Sequence, residues 1–156
     1  MTILTVPARF CGPPASGNGG WVAGALASLV PDADSATPVT VTLRRPPPLD
    51  TPLDVATADG TTSLTHDGGL VASAALAATP PAPAQAVPAD VARAAEASYP
   101  GLAHHGFATC FGCGTAREPG DGLRIFPGPV DAGRVAATWT PGDPATSDVA
   151  ATWSAL

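Results

Sequence analysis

The sequence predicts an α+β fold in which an antiparallel β-sheet wraps around one central apolar helix. The stretch from Ser16 to Val30 has a helix start but no polar face, and a helix that is apolar on all sides must be buried on all sides. Four β-type segments joined by short turn signals follow, between Pro38 and Ala78. Because a bilayer-spanning helix needs about 20 apolar residues, we expect the sheet, rather than lipid, to cover this shorter helix.

The central helix has signals for both of its ends. Ser16 or Asn18 can cap its start, since their side-chain oxygens accept hydrogen bonds from unpaired backbone N–H groups. Pro31 and Asp32 end it. Between these ends lie small residues that let neighbouring backbone approach closely, namely Ala23, Gly24, Ala25 and Ala27.

The predicted sheet has one strand before the helix and four after it. The strands are Thr2 to Val6, Pro38 to Arg45, Leu53 to Ala58, Thr61 to His66 and Leu70 to Ala78. The second of these alternates apolar and polar residues, which is the pattern of a half-buried strand. Asp59-Gly60 is a strong hairpin signal, and Asp67-Gly68 marks another tight turn.

Residues 1–79 are predicted to form one complete domain, and residues 80–156 a linker, a short helix and an incomplete second unit. Thr79 to Pro88 is rich in Pro and Ala, which favours an extended, semi-rigid linker. The segments predicted after it are a helix at Asp90 to Ser98, a loop at Gly101 to Gly120, strands at Gly122 to Phe126 and Arg134 to Thr140, and a helix begun at Asp148. We expect the chain to end while this last element is starting, since no helix stop signal follows.

Composition excludes several classes of function. The net charge is −6 and the chain has seven Arg and no Lys, so the basic footprint of a nucleic-acid-binding protein is missing. No secretory signal begins the sequence, and three cysteines without a signal indicate the cytoplasm. No membrane association and no cofactor are expected. The Ala/Pro/Gly/Arg bias is typical of G+C-rich bacteria.

Two short motifs carry a resemblance to a known superfamily. The first is Asn18-Gly19-Gly20 at the start of the apolar helix, and the second is Cys110 to Gly114 (CFGCG) followed by Gly120 to Phe126 (GDGLRIF). The chain resembles the hot-dog fold superfamily of acyl-CoA thioesterases and related dehydratases, and the second motif is similar to the start of the phenylacetate-pathway (PaaI-like) thioesterases. The resemblance implies a complete first hot-dog unit and the front of a second, incomplete repeat.

The resemblance implies that Asn18, Gly19 and Gly20 are catalytic residues acting on an acyl thioester. Thioester hydrolysis needs the carbonyl oxygen to be stabilised as it becomes negative, and exposed N–H groups at a helix start can do this. The family's carboxylate, two turns along the helix, is missing here, so another protomer or a later segment would have to supply it. Weaker candidates within the chain are Asp50, His66 and Asp67.

Four further residues are candidates for binding the substrate. Trp21 and Ser16 flank the helix start, where Trp21 could line an acyl pocket, although core packing is the simpler interpretation of a tryptophan. Arg44 and Arg45 could meet a CoA phosphate, because the guanidinium suits phosphate. Such a pair also commonly forms a solvated strand end.

Cys110 and Cys113, with His104 and His105 just before them, are weak candidates for zinc ligands. Two thiolates and two imidazoles suit tetrahedral zinc, but the four residues are crowded and the two histidines are adjacent, so no metal is expected. A redox pair is disfavoured because no thioredoxin-like βαβ pattern surrounds the motif. The remaining interpretation is that both thiols, and Cys11, are small buried apolar groups.

The sequence therefore predicts a thioesterase-like hot-dog protein that hydrolyses an acyl thioester such as an acyl-CoA. The alternatives are a non-catalytic acyl or acyl-CoA binding domain, and a structural half that pairs with another hot-dog unit. An isolated sheet of this kind leaves an edge exposed, which is an association hazard. We therefore expect a homodimer with the two sheets side by side.

Overall fold

A five-stranded antiparallel β-sheet dominates the first half of the chain. The computed structural model describes residues 2–34 and 37–140. The sheet has the order β1-β3-β4-β5-β2, and β6 and β7 form a separate hairpin. In chain order the elements are β1 (Thr2–Thr5), α1 (Gly19–Ala27), β2 (Val39–Leu43), β3 (Pro52–Ala58), β4 (Thr61–His66), β5 (Gly69–Leu76), α2 (Ala89–Glu96), β6 (Gly128–Asp131) and β7 (Arg134–Ala136), with 3-10 turns at Ala8–Phe10 and Pro100–Leu102. The predicted α+β class is confirmed.

The two tight turns predicted within the sheet are both present. Asp59 and Gly60 have φ angles of 50° and 73°, and Asp67 and Gly68 have φ angles of 48° and 70°. Two successive positive φ angles are those of a type I′ turn, whose twist matches the twist of the flanking strands. These turns set the antiparallel pairing of β3 with β4 and of β4 with β5.

Helix α1 packs its apolar side chains against this sheet. Val22 and Leu26 are fully buried and join Leu53 and Leu64 of the sheet in one core. The helix ends at Ala27, and the hydroxyl of the exposed residue Ser28 donates to the Ala25 carbonyl at 2.8 Å. The predicted apolar helix is present and mostly buried, although its first two residues and Ala23 are only half-buried.

The prediction of a strand at Gly122 to Phe126 is wrong. Gly122 and Arg124 have φ angles of 97° and 53°, which lie in the left-handed region and not in the strand region. The Leu123 N–H donates instead to the Phe111 carbonyl at 2.8 Å, so this segment lies along the turn at Cys110 to Gly114, which we call the cysteine loop. The partner of β7 is β6, which begins two residues after the predicted strand ends.

The second helix and β7 are shorter than predicted. Helix α2 ends at Glu96, whose carboxylate accepts a hydrogen bond from the Thr138 N–H at 2.6 Å. That contact ties the chain to α2, and β7 has already ended at Ala136. The predictions for residues 141–156, including the helix begun at Asp148, lie outside the described residues.

Helices α1 and α2 are far shorter than a membrane span. Helix α1 has nine residues and α2 has eight, whereas about 20 are needed to cross the hydrocarbon core. Among residues 2–34 and 37–140, no helix combines the length and the apolar character of a membrane-spanning segment.

Candidate functional site

The start of α1 is capped by Asn18. Its Oδ1 accepts a hydrogen bond from the Trp21 N–H at 3.0 Å, so of the two candidate caps the chain uses Asn18. The N–H groups of Gly19 and Gly20 have no intrahelical acceptor, as in any first helical turn. The positive end of the helix dipole therefore lies at this cap.

The cysteine loop packs directly on this helix start. Asn18 Nδ2 lies 3.6 Å from Cys110 Sγ, and the backbone N–H of Asn18 donates to the Phe10 carbonyl at 2.7 Å. One residue further along each segment, the Phe111 N–H donates to the Cys11 carbonyl at 2.7 Å. Phe111 also belongs to the core around α1. Sequence reasoning did not connect Asn18 with Cys110, because the two residues are 92 positions apart.

A cavity of about 430 Å³ opens beside this contact. Its volume is within the range of small-molecule sites, roughly 300–1,000 Å³. Its polar side chains are the Asn18 amide and the two thiols of the motif, and most of the other walls are apolar. The lining residues are Asn18, Cys110, Gly112, Cys113, Ile125, Pro127, Val135, Ala136, Ala137 and Trp139.

The two thiols of the motif differ sharply in acidity. Hydrogen bonds from the Cys113 thiol, from the backbone N–H groups of Cys113 and Gly112, and from the Asn18 amide lower the pKa of Cys110 to about 5, against the opposing effect of burial. The same bond to Cys110, together with burial, raises the pKa of Cys113. Burial and a hydrogen bond with Cys113 also raise the pKa of Tyr99 to about 12. The bond between the two thiols therefore shifts their pKa values in opposite directions, and Cys110 is the more acidic of the two.

The turn that presents the two thiols requires a glycine. The Gly114 N–H donates to the Cys110 carbonyl at 2.8 Å. A Cβ at Gly114 would lie 2.5 Å from the carbonyl oxygens of both Ala108 and Cys110, which is closer than real Cβ atoms come to backbone. Only glycine therefore allows the chain to close this turn without moving Cys110.

The histidines do not complete a zinc site with the two thiols. His105 is half-buried, and its Nε2 lies 2.9 Å from both the Tyr99 hydroxyl and the Cys113 carbonyl oxygen. His104 is exposed. Within the described part of the chain, no three His, Cys, Asp or Glu side chains come together as they would around a metal ion. The structure thus does not assemble the zinc site considered from the sequence.

The candidate substrate-binding residues lie apart from the cavity wall. Ser16 and Trp21 are buried, and the Trp21 ring stacks on Phe10 with centroids 4.6 Å apart. The Trp21 Nε1–H has no hydrogen-bond partner among the described residues. Arg44 and Arg45 are exposed just after β2. The structure joins Asn18 with the two thiols in one cavity, and none of these four lines it.

The cavity lining contains no Asp, Glu or His among the described residues. Of the weaker acid–base candidates, Asp50 accepts a hydrogen bond from the Ala8 N–H at 2.9 Å and so fixes the chain after β1. His66 Nε2 lies 3.7 Å from Asp67 Oδ2 at the turn between β4 and β5. The described walls of this cavity therefore provide no carboxylate or imidazole to activate water.

Comparisons of the chain with protein-family models, with curated proteins and with solved structures give no match. The interpretation of the cavity therefore depends on its own residues and geometry. Those residues provide the amide of the helix cap Asn18, an acidic thiol and an apolar wall, whereas the predicted catalytic residues Gly19 and Gly20 do not line the cavity.

Proposed function

We propose that this chain binds an acyl thioester, such as an acyl-CoA, in the cavity beside Asn18. The observation that carries the proposal is that the cap of an apolar helix forms part of the wall of a ligand-sized cavity. Further support comes from the arrangement of α1 on a five-stranded antiparallel sheet, which is compatible with the hot-dog fold that the two motifs resemble. The hot-dog fold of this chain is therefore proposed together with its binding function.

The cavity offers donors for a thioester carbonyl and a surface for an acyl chain. An amide NH₂ has two donor hydrogens, so Asn18 can contact Cys110 with one and a ligand oxygen with the other. The dipole of α1 adds a positive partial charge at the same end. Ile125 and Trp139 contribute to the wall against which an apolar chain would pack.

Hydrolysis of the bound thioester is the reaction that this arrangement serves, provided that a general base is present. Because no carboxylate or imidazole of the described residues lines the cavity, a second protomer of the cytoplasmic homodimer would supply that base. The same observation favours a second candidate function, which is binding of the acyl thioester without turnover.

A panel of acyl-CoAs of increasing chain length tests the proposal. Binding is measured by isothermal titration calorimetry, and hydrolysis by release of free CoA. The informative variant is Asn18→Ser, which keeps a capping oxygen and removes the Nδ2 donor. The matched control is Gly106→Ala, because a Cβ there meets nothing within 4 Å.

We expect one or more acyl-CoAs to bind to the wild type and to Gly106→Ala alike. If the protein hydrolyses them, loss of the Asn18 donor should lower kcat about 100-fold, as removal of one oxyanion donor does. Binding without release of CoA would establish the non-catalytic alternative. Equal CoA release by the wild type and Asn18→Ser would refute the site, and no binding of any acyl-CoA would refute the function.

A further inference from the structure

The two thiols of the motif lie close together on one turn beside the cavity. Cys110 and Cys113 are three residues apart, and the turn is closed by the Gly114 N–H bond to the Cys110 carbonyl. Residues three apart in such a helix-like turn are neighbours on one side of it. Both cysteines are free thiols, and both line the cavity beside Asn18.

The third cysteine differs from this pair. Cys11 is buried, its thiol donates to the Thr109 carbonyl at 3.2 Å, and it is not part of the cavity lining. It is buried, as the sequence suggested for all three cysteines, but its sulfur also accepts a hydrogen bond from Arg117 Nη2 at 3.4 Å. Cys110 and Cys113 differ from it, because a ligand in the cavity would touch both.

We propose that Cys110 and Cys113 form a dithiol–disulfide pair that exchanges with low-molecular-weight disulfides entering the cavity. This activity is separate from acyl-thioester binding and does not depend on it. The contacts to Cys110 from Asn18 and from the turn's own N–H groups favour its thiolate, and the thiolate is the nucleophile in thiol–disulfide exchange.

The exchange proceeds in two displacements. In the first, the Cys110 thiolate attacks one sulfur of a disulfide RSSR. A bond forms between Cys110 Sγ and that sulfur, the S–S bond of RSSR breaks, and RS⁻ leaves. The negative charge that held the proton on Cys113 is then gone. Cys113 gives its proton to the solvent or to RS⁻ and attacks Cys110 Sγ, which closes the Cys110–Cys113 disulfide and releases the second RS⁻. The protein loses two electrons and RSSR gains them.

Oxidised glutathione is a suitable probe of this exchange. The full chain and its Cys110→Ser, Cys113→Ser and Cys11→Ser variants are incubated with it, and the products are identified by mass spectrometry after alkylation of the remaining thiols. Circular dichroism of each variant checks that the fold is retained.

We expect the wild type and Cys11→Ser to form the Cys110–Cys113 disulfide and to carry no stable adduct. Cys113→Ser should accumulate a glutathione adduct on Cys110, because the resolving thiol is missing. Cys110→Ser should react at least ten-fold more slowly. The pH profile of alkylation by iodoacetamide should show a Cys110 transition near the pKa of about 5.

Two results would overturn the proposal. One is a wild-type chain in which both thiols of the pair are still alkylated after incubation with oxidised glutathione. The other is equal adduct formation by Cys110→Ser and Cys113→Ser, which would show that the two thiols do not have the distinct roles of attacking and resolving groups. If a variant unfolds, the wild-type disulfide mapping alone decides between formation and absence of the bond.

Discussion

Asn18 Nδ2 lies 3.6 Å from Cys110 Sγ, so the residue that caps α1 also contacts the more acidic thiol of the CFGC motif. The same side chain uses its Oδ1 to cap the helix. One asparagine therefore connects the helix dipole, the thiolate and the cavity. The cap depends on Asn18 Oδ1 and the contact with the thiol depends on Asn18 Nδ2. A substitution that keeps the oxygen and removes the NH₂ group should therefore retain the cap and change only the thiol.

Replacement of Asn18 by Asp should raise the pKa of Cys110 and leave the helix cap intact. A carboxylate caps a helix about as well as an amide, but it removes the donor to the sulfur and adds a like charge beside the thiolate, which disfavours the charged form. We expect a rise of about one pKa unit or more. The measurement is the pH dependence of the iodoacetamide reaction rate.

Asn18→Ser is the matched control for this prediction. It keeps a capping oxygen and loses the donor without adding charge, so the rise in the Cys110 pKa should be smaller than with Asp. An unchanged pKa in both variants would show that the Asn18 contact has no influence on the thiol.

Stability should depend on pH between about 5 and 9 through Cys110. Its folded-state pKa of about 5 is below the ordinary value of 9.0, so above the unfolded pKa its contribution is fully present, and it is lost as pH falls toward 5. The slope is at most about 1.4 kcal/mol per pH unit for one proton. Urea unfolding at pH 5, 7 and 8.5 measures it.

Cys110→Ser should remove this part of the pH dependence, whereas Cys11→Ser should retain it. The raised pKa of Cys113 does not affect this measurement. A raised thiol pKa changes the free energy of unfolding only at pH values above the ordinary thiol pKa of 9.0. Identical pH slopes for the wild type and Cys110→Ser would contradict the depressed pKa.

Gly114→Ala should destabilise the protein and disturb Cys110, while Gly106→Ala should do neither. The new Cβ at Gly114 would clash with backbone oxygens at 2.5 Å, and relief of such overpacking typically costs about 1–3 kcal/mol. A Cβ at Gly106 meets nothing within 4 Å. Chemical denaturation and the pH profile of Cys110 alkylation test both variants, and equal behaviour would contradict the role of Gly114 in closing the turn.

The chain is predicted to form a homodimer through the edge of its sheet. Strands β1 and β2 are the two outer strands, and Ile3 on β1 and Leu43 on β2 are 51% and 45% exposed. Multi-angle light scattering at micromolar concentration should give twice the chain mass of 15.3 kDa. Ile3→Arg or Leu43→Arg should weaken the dimer at whichever edge is used, and a monomeric wild type would contradict the prediction.

Local patterns were enough to predict the sheet and its helix. The period-two alternation of Pro38 to Arg45, the Asp-Gly turns and the apolar run after Asn18 each depend on neighbours within a few residues. The physical preferences involved, namely positive φ in type I′ turns and burial of an apolar helix, act locally. The elements from β1 to β5 therefore appear close to their predicted bounds.

The strand predicted at Gly122 to Phe126 failed for the opposite reason. Its apolar residues gave a β-type pattern, but the backbone of this segment bonds to the cysteine loop and takes left-handed φ angles. A backbone partner from a distant loop is not visible in a local pattern. For the same reason the sequence did not predict the cavity, whose walls come from residues 18, 110, 112, 113, 125, 127, 135–137 and 139.

By itself, the sequence determined an α+β chain with a capped apolar helix, four strands after it and a CFGC motif of undecided role. Tight turns link only the last three of these strands, because β2 lies at the sheet edge beside β5 and not beside β3. Only the tertiary structure decided that the motif lies on the helix cap and that His105 contacts the Cys113 carbonyl oxygen rather than its thiol. The reason is that the acidity of a thiol depends on the donors around it in space. For Cys110 one of these donors, Asn18, comes from a helix start 92 residues earlier in the chain.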